Sequence, residues 1–185
     1  MASPLSTRLT LEGLSAESAR DLVERHSGAV YRVALRLLGD AHEAEDITQE
    51  VLLRLCHTRA NLRPGSDEGA WAYSITINLC RDILRSHRRR VLSLVPLEDL
   101  DGEDLRPTPD LALDRARRER QVQLALQRLP ANYREVLVLR DMEGQPYKRL
   151  CEVLGLSESN LKARVIRARR ALARALLAED EEESP

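Results

Sequence analysis

The sequence predicts an all-α protein made of two small helical domains joined by an acidic, flexible linker. Three observations lead there. Apolar residues recur at helical spacing over most of the 185 residues, and no strand-like alternation stands out. Residues 91–114 break the pattern with Pro96, Pro107, Pro109 and seven carboxylates against one arginine, a composition that cannot bury a core. Residues 146–170 then read as two short helices around a tight turn, the helix-turn-helix pattern. The boundaries that follow are an N-terminal extension at 1–14, a first domain at 15–90, the linker at 91–114, a second domain at 115–178 and an acidic tail at 179–185.

In the first domain, Ser15 can cap a helix. Leu22, Val23, Val30, Val33, Ala34, Leu37 and Leu38 carry its periodicity to Gly39, a good stop signal. Asp40 opens a second helix through Ala44, Ile47, Val51, Leu52 and Leu55. Residues 40–50 hold Asp40, Glu43, Glu45, Asp46 and Glu50 with no Lys or Arg, more negative charge than a helix dipole asks for. That face is a candidate dock for a basic partner; the plainer alternative is a solvated helix face. Residues 58–69, with Pro64 and two glycines, read as a loop. A third helix runs from Ala70 to about Arg90. Trp71, Ile75, Leu79 and Ile83 form its apolar stripe, and Tyr73, Thr76, Asn78, Arg81 and Arg85 lie off it. It ends in the basic run His87 to Arg90. Rings and amides beside an arginine cluster suit single-stranded DNA, where bases stack and guanidinium groups follow phosphate. Taken alone, Trp71 is better read as core.

In the second domain, helical pattern resumes near Leu111 and stops at Pro130. Another helix opens at Ala131 or Asn132, with Tyr133, Val136, Leu137 and Leu139 inward, and ends at Gly144. Pro146 suits a first helical position, because its missing N–H would be unpaired there. Leu150, Val153 and Leu154 give that helix an apolar face. Gly155 supplies a left-handed turn, Leu156 plugs the corner and Ser157 caps the next helix. Leu161, Val165 and Ala168 form one stripe of the last helix. Its other face carries Ser159, Asn160, Lys162, Arg164, Arg167 and Arg170, the arrangement that sets a helix in the major groove. An ordinary hairpin with a solvated basic face is the plainer reading.

The formal net charge of −1 conceals blocks of opposite sign, and local fields decide binding. Residues 81–90 hold five arginines and one aspartate, and residues 158–174 hold six cations and one glutamate. Cys56, Cys80 and Cys151 are odd in number, lack CxxC spacing and fall on apolar stripes, as reduced buried thiols do. No apolar run approaches the roughly 18 residues of a spanning helix, and no signal-peptide pattern opens the chain, so a cytoplasmic protein is expected. Cys56 beside His57 is the one tempting catalytic pair, but adjacent helical residues point apart and no third group orients them. The His and Cys spacings match no zinc pattern. Neither an enzyme, a cofactor, a metal nor a small-molecule substrate is expected.

Three segments together resemble the sigma-70 family. AHEAEDITQEVLLRL is similar to region 2.2, AWAYSITINLCRDILRSHRRR to regions 2.3 and 2.4, and LQRLPANYREVLVLRDMEGQPYKRLCEVLGLSESNLKARVIRARRAL to region 4. The order, the spacing and the missing third domain resemble the extracytoplasmic-function (ECF) group. Two departures stand out. Arg149, Leu150 and Cys151 replace the usual Glu-Ile-Ala, and Val51, Leu52 and Leu53 stand where a Phe usually follows the Gln-Glu pair.

The resemblance implies an alternative sigma factor that binds core RNA polymerase, recognises the −10 and −35 promoter elements, helps melt DNA and directs initiation. Glu45, Asp46, Gln49 and Glu50 would dock on the clamp helices of the largest subunit, and the second domain on the flap of the second-largest. The catalysis would belong to the polymerase. Trp71, Asn78, Arg81, Asp82 and Arg85 would meet the −10 strand, and the 58–69 loop would receive a flipped base. Ser159, Asn160, Lys162, Ala163, Arg164 and Arg167 would read the −35 element, with Arg140 and Lys148 on its flank. The linker would thread the polymerase, and an anti-sigma factor would hold the chain inactive. The rival is a stand-alone helix-turn-helix regulator that binds duplex DNA without polymerase.

Overall fold

The computed structural model describes residues 16–59, 66–93 and 111–182. The extension at 1–14, most of the 58–69 loop, the body of the 91–114 linker and the end of the tail lie outside them. The elements are α1 (Ala16–Leu38), α2 (Ala41–Arg59), α3 (Glu68–Ser93), α4 (Leu111–Arg128), α5 (Ala131–Leu137), a π-helical segment (Val138–Met142), α6 (Tyr147–Leu154) and α7 (Glu158–Glu182). No strand occurs among the described residues, and the all-α, two-domain architecture stands. None of the described helices is long and apolar enough to cross a membrane.

The first domain packs α1, α2 and α3 against one another. Gly39 takes φ +80°, and its N–H donates to Leu35 O, closing α1. Asp40 caps α2 by accepting the Glu43 N–H at 2.9 Å. Ala44, Ile47, Val51 and Leu55 form the buried stripe of α2. In α1 the periodicity holds at Leu22, Val30, Val33, Ala34 and Leu37, but Val23 faces out at 40 % exposure.

α3 starts earlier than its apolar pattern implies, because Asp67 accepts the Ala70 N–H at 3.0 Å and caps it. Its buried face is also rotated. Ala70, Tyr73, Thr76, Ile77 and Cys80 are buried, while Trp71, Ile75, Leu79 and Ile83 are half-buried against the core. The Thr76 hydroxyl is satisfied within the helix by Ala72 O at 2.8 Å. Tyr73 and Thr76 are therefore core residues, not part of a stacking platform.

In the second domain the helix-turn-helix forms as expected. Gly155 sits at φ +65°, Ser157 Oγ accepts the Asn160 N–H at 3.4 Å, and Leu161, Val165 and Ala168 are fully covered. Pro146 is one place earlier than expected: it is extended (φ −70°, ψ 150°) and precedes the first helical residue. The helix from Ala131 widens into the π segment, where the Glu143 N–H reaches Val138 O across five residues. The two domains lie packed against each other, with α1 touching α4, α5 and the π segment, and α3 touching α6.

Candidate polymerase and nucleic-acid interfaces

The acidic face of α2 divides into used and free charge. Asp40 is spent on the cap, and Glu43 approaches His87 Nε2 of α3 at 2.8 Å. Glu45, Asp46 and Gln49 are exposed, and half-buried Glu50 accepts Arg54 Nε at 2.7 Å. Leu53 stands one turn further on the same side at 44 % exposure. In the sequence Leu53 stands out only as one of the three residues found where a Phe is usual, and its exposure is not legible there. A carboxylate patch with one apolar contact fits a basic helix pair, since charge steers the encounter and the leucine adds desolvated area.

On α3, Asn78, Asp82 and Arg85 are exposed, and Asp82 pairs with Arg85 at 2.8 Å. Trp71 is half-buried against the core, beside the strand candidates more as a support than as a platform. Arg81 differs from the others. Its guanidinium forks onto Glu135 of α5 at 2.7 and 2.6 Å, and that bond raises its pKa above the ordinary arginine value against the opposing effect of burial.

Where α3 begins, Ser66, Asp67, Glu68 and Gly69 line a polar cleft of about 580 Å³ with Arg25, His26 and Tyr73. Arg149 of α6 closes one side and meets Asp67 at 2.8 Å. Burial alone would raise the Asp67 pKa. The Ala70 N–H and Arg149 outweigh it, and the carboxyl is held below its usual value. Arg149, which stands in place of the family's usual glutamate, thus has a partner in the first domain.

The recognition face of α7 is open. Ser159, Asn160, Lys162 and Arg167 are exposed, and Ala163 and Arg164 are half-exposed beside them. Lys162 pairs with Glu158 at 2.6 Å, and its ammonium lies 5.8 Å from the Tyr147 ring centre. Arg140 covers the other approach to that ring at 4.6 Å. Tyr147 therefore ties the flank residue Arg140 to the recognition helix, a link with no sequence signal. Ile166, at 53 % exposure, lies on the same face and was not singled out from sequence. Arg169 points elsewhere, forked onto Asp141 at 2.8 and 2.5 Å.

Comparison with known proteins agrees with both halves. Residues 22–90 match the sigma-70 region 2 family and residues 119–172 the sigma-70 region 4 family. The chain is similar to the ECF RNA polymerase sigma factor SigE of Mycolicibacterium smegmatis, 37 % identical over 82 % of this chain, and spans 59 % of that relative's length. It is similar to the ECF RNA polymerase sigma factor EcfG of Rhodopseudomonas palustris at 32 % identity, with 90 % of each chain aligned. Its fold is similar to that of the sigma factor RpoE solved with the anti-sigma factor NepR from Bartonella quintana. There the TM-score is 0.65 at 24 % identity, over 85 % of this chain and 95 % of that one. Two sigma regions in order, and a relative matched over nine-tenths of its length, make the chain a member of the ECF sigma factors of the sigma-70 family.

Proposed function

We propose that this chain gives core RNA polymerase its choice of promoter, docking through α2 and contacting promoter DNA through α3 and α7. The observation that carries the reading is the outward placement of two surfaces of opposite charge on one chain. The carboxylates Glu45, Asp46 and Glu50, with Gln49, face away from the core on α2, and Asn160, Lys162, Arg164 and Arg167 face away on α7. A regulator that acts on duplex DNA alone has use for the second surface and none for the first.

On this reading the clamp helices of the largest subunit take the α2 face, and the flap of the second-largest takes the second domain. Asn78, Arg81, Asp82 and Arg85, backed by Trp71, follow the melted −10 strand. Ser159, Asn160, Lys162, Ala163, Arg164 and Arg167 read the −35 duplex, where one good bidentate contact discriminates by about 1–3 kcal/mol. The chain contributes no covalent chemistry. An anti-sigma factor is the regulator that the family resemblance implies, and it would cover these same faces. Domain boundaries at 15–90 and 115–178 belong to this reading.

The test is run-off transcription with purified core polymerase on a promoter library, with and without the protein. Specific starts that require the protein are expected. Binding to duplex DNA with no starts from a competent core would favour the stand-alone regulator and return the α2 carboxylates to a solvated face.

A further inference from the structure

α7 is tied at two points to the chain that precedes it. Asp141 accepts Arg169 at 2.8 and 2.5 Å. Tyr147, the first residue of α6, meets Lys162, whose ammonium lies 5.8 Å from the ring centre. Lys162 and Arg169 are seven residues apart, two turns or about 10.5 Å along the helix, so both ties fall on one side of α7. The same ring takes Arg140, whose guanidinium carbon stands 4.6 Å from the ring centre. Arg140 also donates to Gln145 O at 2.8 Å, and the Gln145 N–H returns to Leu139 O at 2.9 Å. Pro146 then runs extended into α6, so the ring leaves a turn already fixed by hydrogen bonds.

The ring differs in kind from the other partner of Lys162. Glu158 accepts the ammonium at 2.6 Å, but it belongs to the same helix, both side chains are more than half exposed, and a phosphate would repel its charge. A neutral ring attracts a cation through its quadrupole and leaves the charge in place. A cation so held stays available to a phosphate or to a guanine edge. Fixing a lysine on DNA costs rotamer freedom, and a side chain already resting on a ring has less to lose. The gain goes to the base that the held lysine faces and not to one that would require it to turn away.

We propose that Tyr147 is a positioning residue for the reading of the −35 duplex, its ring holding Lys162 toward one base pair and Arg140 toward the flanking phosphate. The inference rests on the sigma reading above for the duplex that these two cations face. Tyr147 acts through its ring and not through its hydroxyl.

The test uses the full chain and has two arms. Lys148 and Lys162 are the two lysines of the sequence, so lysine labelled with carbon-13 gives two ε-methylene signals, which Lys162→Gln assigns. In the native protein and in Tyr147→Phe the ring current is expected to move the Lys162 signal upfield of that of exposed Lys148. In Tyr147→Leu, which keeps an apolar side chain against the core, the two signals should converge. The second arm is run-off transcription by the holoenzyme on promoters that vary one −35 base at a time. Tyr147→Leu is expected to lose several-fold of the native preference at the positions where Lys162→Gln loses it, and the double variant to lose no more than either single one. Tyr147→Phe should read as native.

A uniform fall on every promoter, or additive losses in the double variant, overturns the proposal, because a merely structural tyrosine would give either. Loss in Tyr147→Phe equal to that in Tyr147→Leu overturns it too and makes the hydroxyl a direct contact. So does a native Lys162 signal that coincides with that of Lys148. The native lysine spectrum and Tyr147→Phe keep the proposal falsifiable if Tyr147→Leu fails to fold. Native protein that directs no specific starts is a failure of the sigma reading; specific starts with an unchanged −35 preference in Tyr147→Leu are a failure of this inference alone.

Discussion

At the scale of single residues, the left-handed glycines are not equivalent. Gly39 and Gly155 both have positive φ, but a Cβ at Gly39 would stand 3.1 Å from the Gln127 amide, whereas nothing lies within 4 Å at Gly155. Either substitution to Ala should cost about 1–2 kcal/mol of backbone strain. Gly39→Ala should cost more, because Gln127 must also leave Arg36 O; denaturant midpoints of the two variants check the order. Cys80 offers a titration. Burial first, then Glu135 and Glu43, push its thiol up from 9.0 to about 12. Because the folded pKa is raised, the stability it contributes is full below about pH 9 and is lost as pH rises from there toward 12. At pH 8 a thiol-reactive dye should label half-buried Cys151 and leave Cys80 unmodified until denaturant is added.

At the scale of elements, the α2 face is the cleanest test of role against fold. Glu45→Lys with Asp46→Lys touches two exposed side chains, so the thermal midpoint should move little while binding to core polymerase falls by tenfold or more. Retained binding would remove α2 from the docking surface. Much of this level was legible in the sequence. The helix-turn-helix announced itself through Gly155, Ser157 and the Leu161–Val165–Ala168 stripe, since turn chemistry and period point to the same answer. α3 was harder. The stripe of Trp71, Ile75, Leu79 and Ile83 is only half-buried, and the covered face runs through Ala72, Tyr73, Thr76, Ile77 and Cys80, a mixed set with no clean apolar period. The cap at Asp67 was hidden inside an apparent loop. The role of Arg149 was hidden too, because its partner is 82 positions away.

At the scale of the whole molecule, one continuous apolar core runs from Leu22 to Ala168 through both domains. Arg134 sits where they join. Burial lowers its pKa from the ordinary arginine value, with Glu135 and Cys80 opposing. The chain should therefore melt in one cooperative transition by calorimetry. Arg134→Ala removes the guanidinium shared by the ends of α1 and α4 and should split that transition into two. A single transition in the variant would mean that apolar contact alone couples the domains. Nothing in the sequence marked Arg134 and Glu135 for this work. They are two charged residues at the head of an apolar helix, and only the arrangement of the domains shows what they face.

The π segment at Val138–Met142 has a consequence for how this chain tolerates change in length. Five-residue hydrogen-bond spacing accommodates one residue more than an α-helix needs for the same path. Deleting a residue there would let the ladder relax to the commoner form, so the expendable position lies inside a buried helix and not at a loop tip. The deletion would not be silent. One residue is about 100° of helical rotation. Arg140 would turn off the Tyr147 ring, and Asp141 would lose its fork to Arg169. A shortened chain would keep its fold and its length of helix, but the flank of its recognition helix would be wired differently.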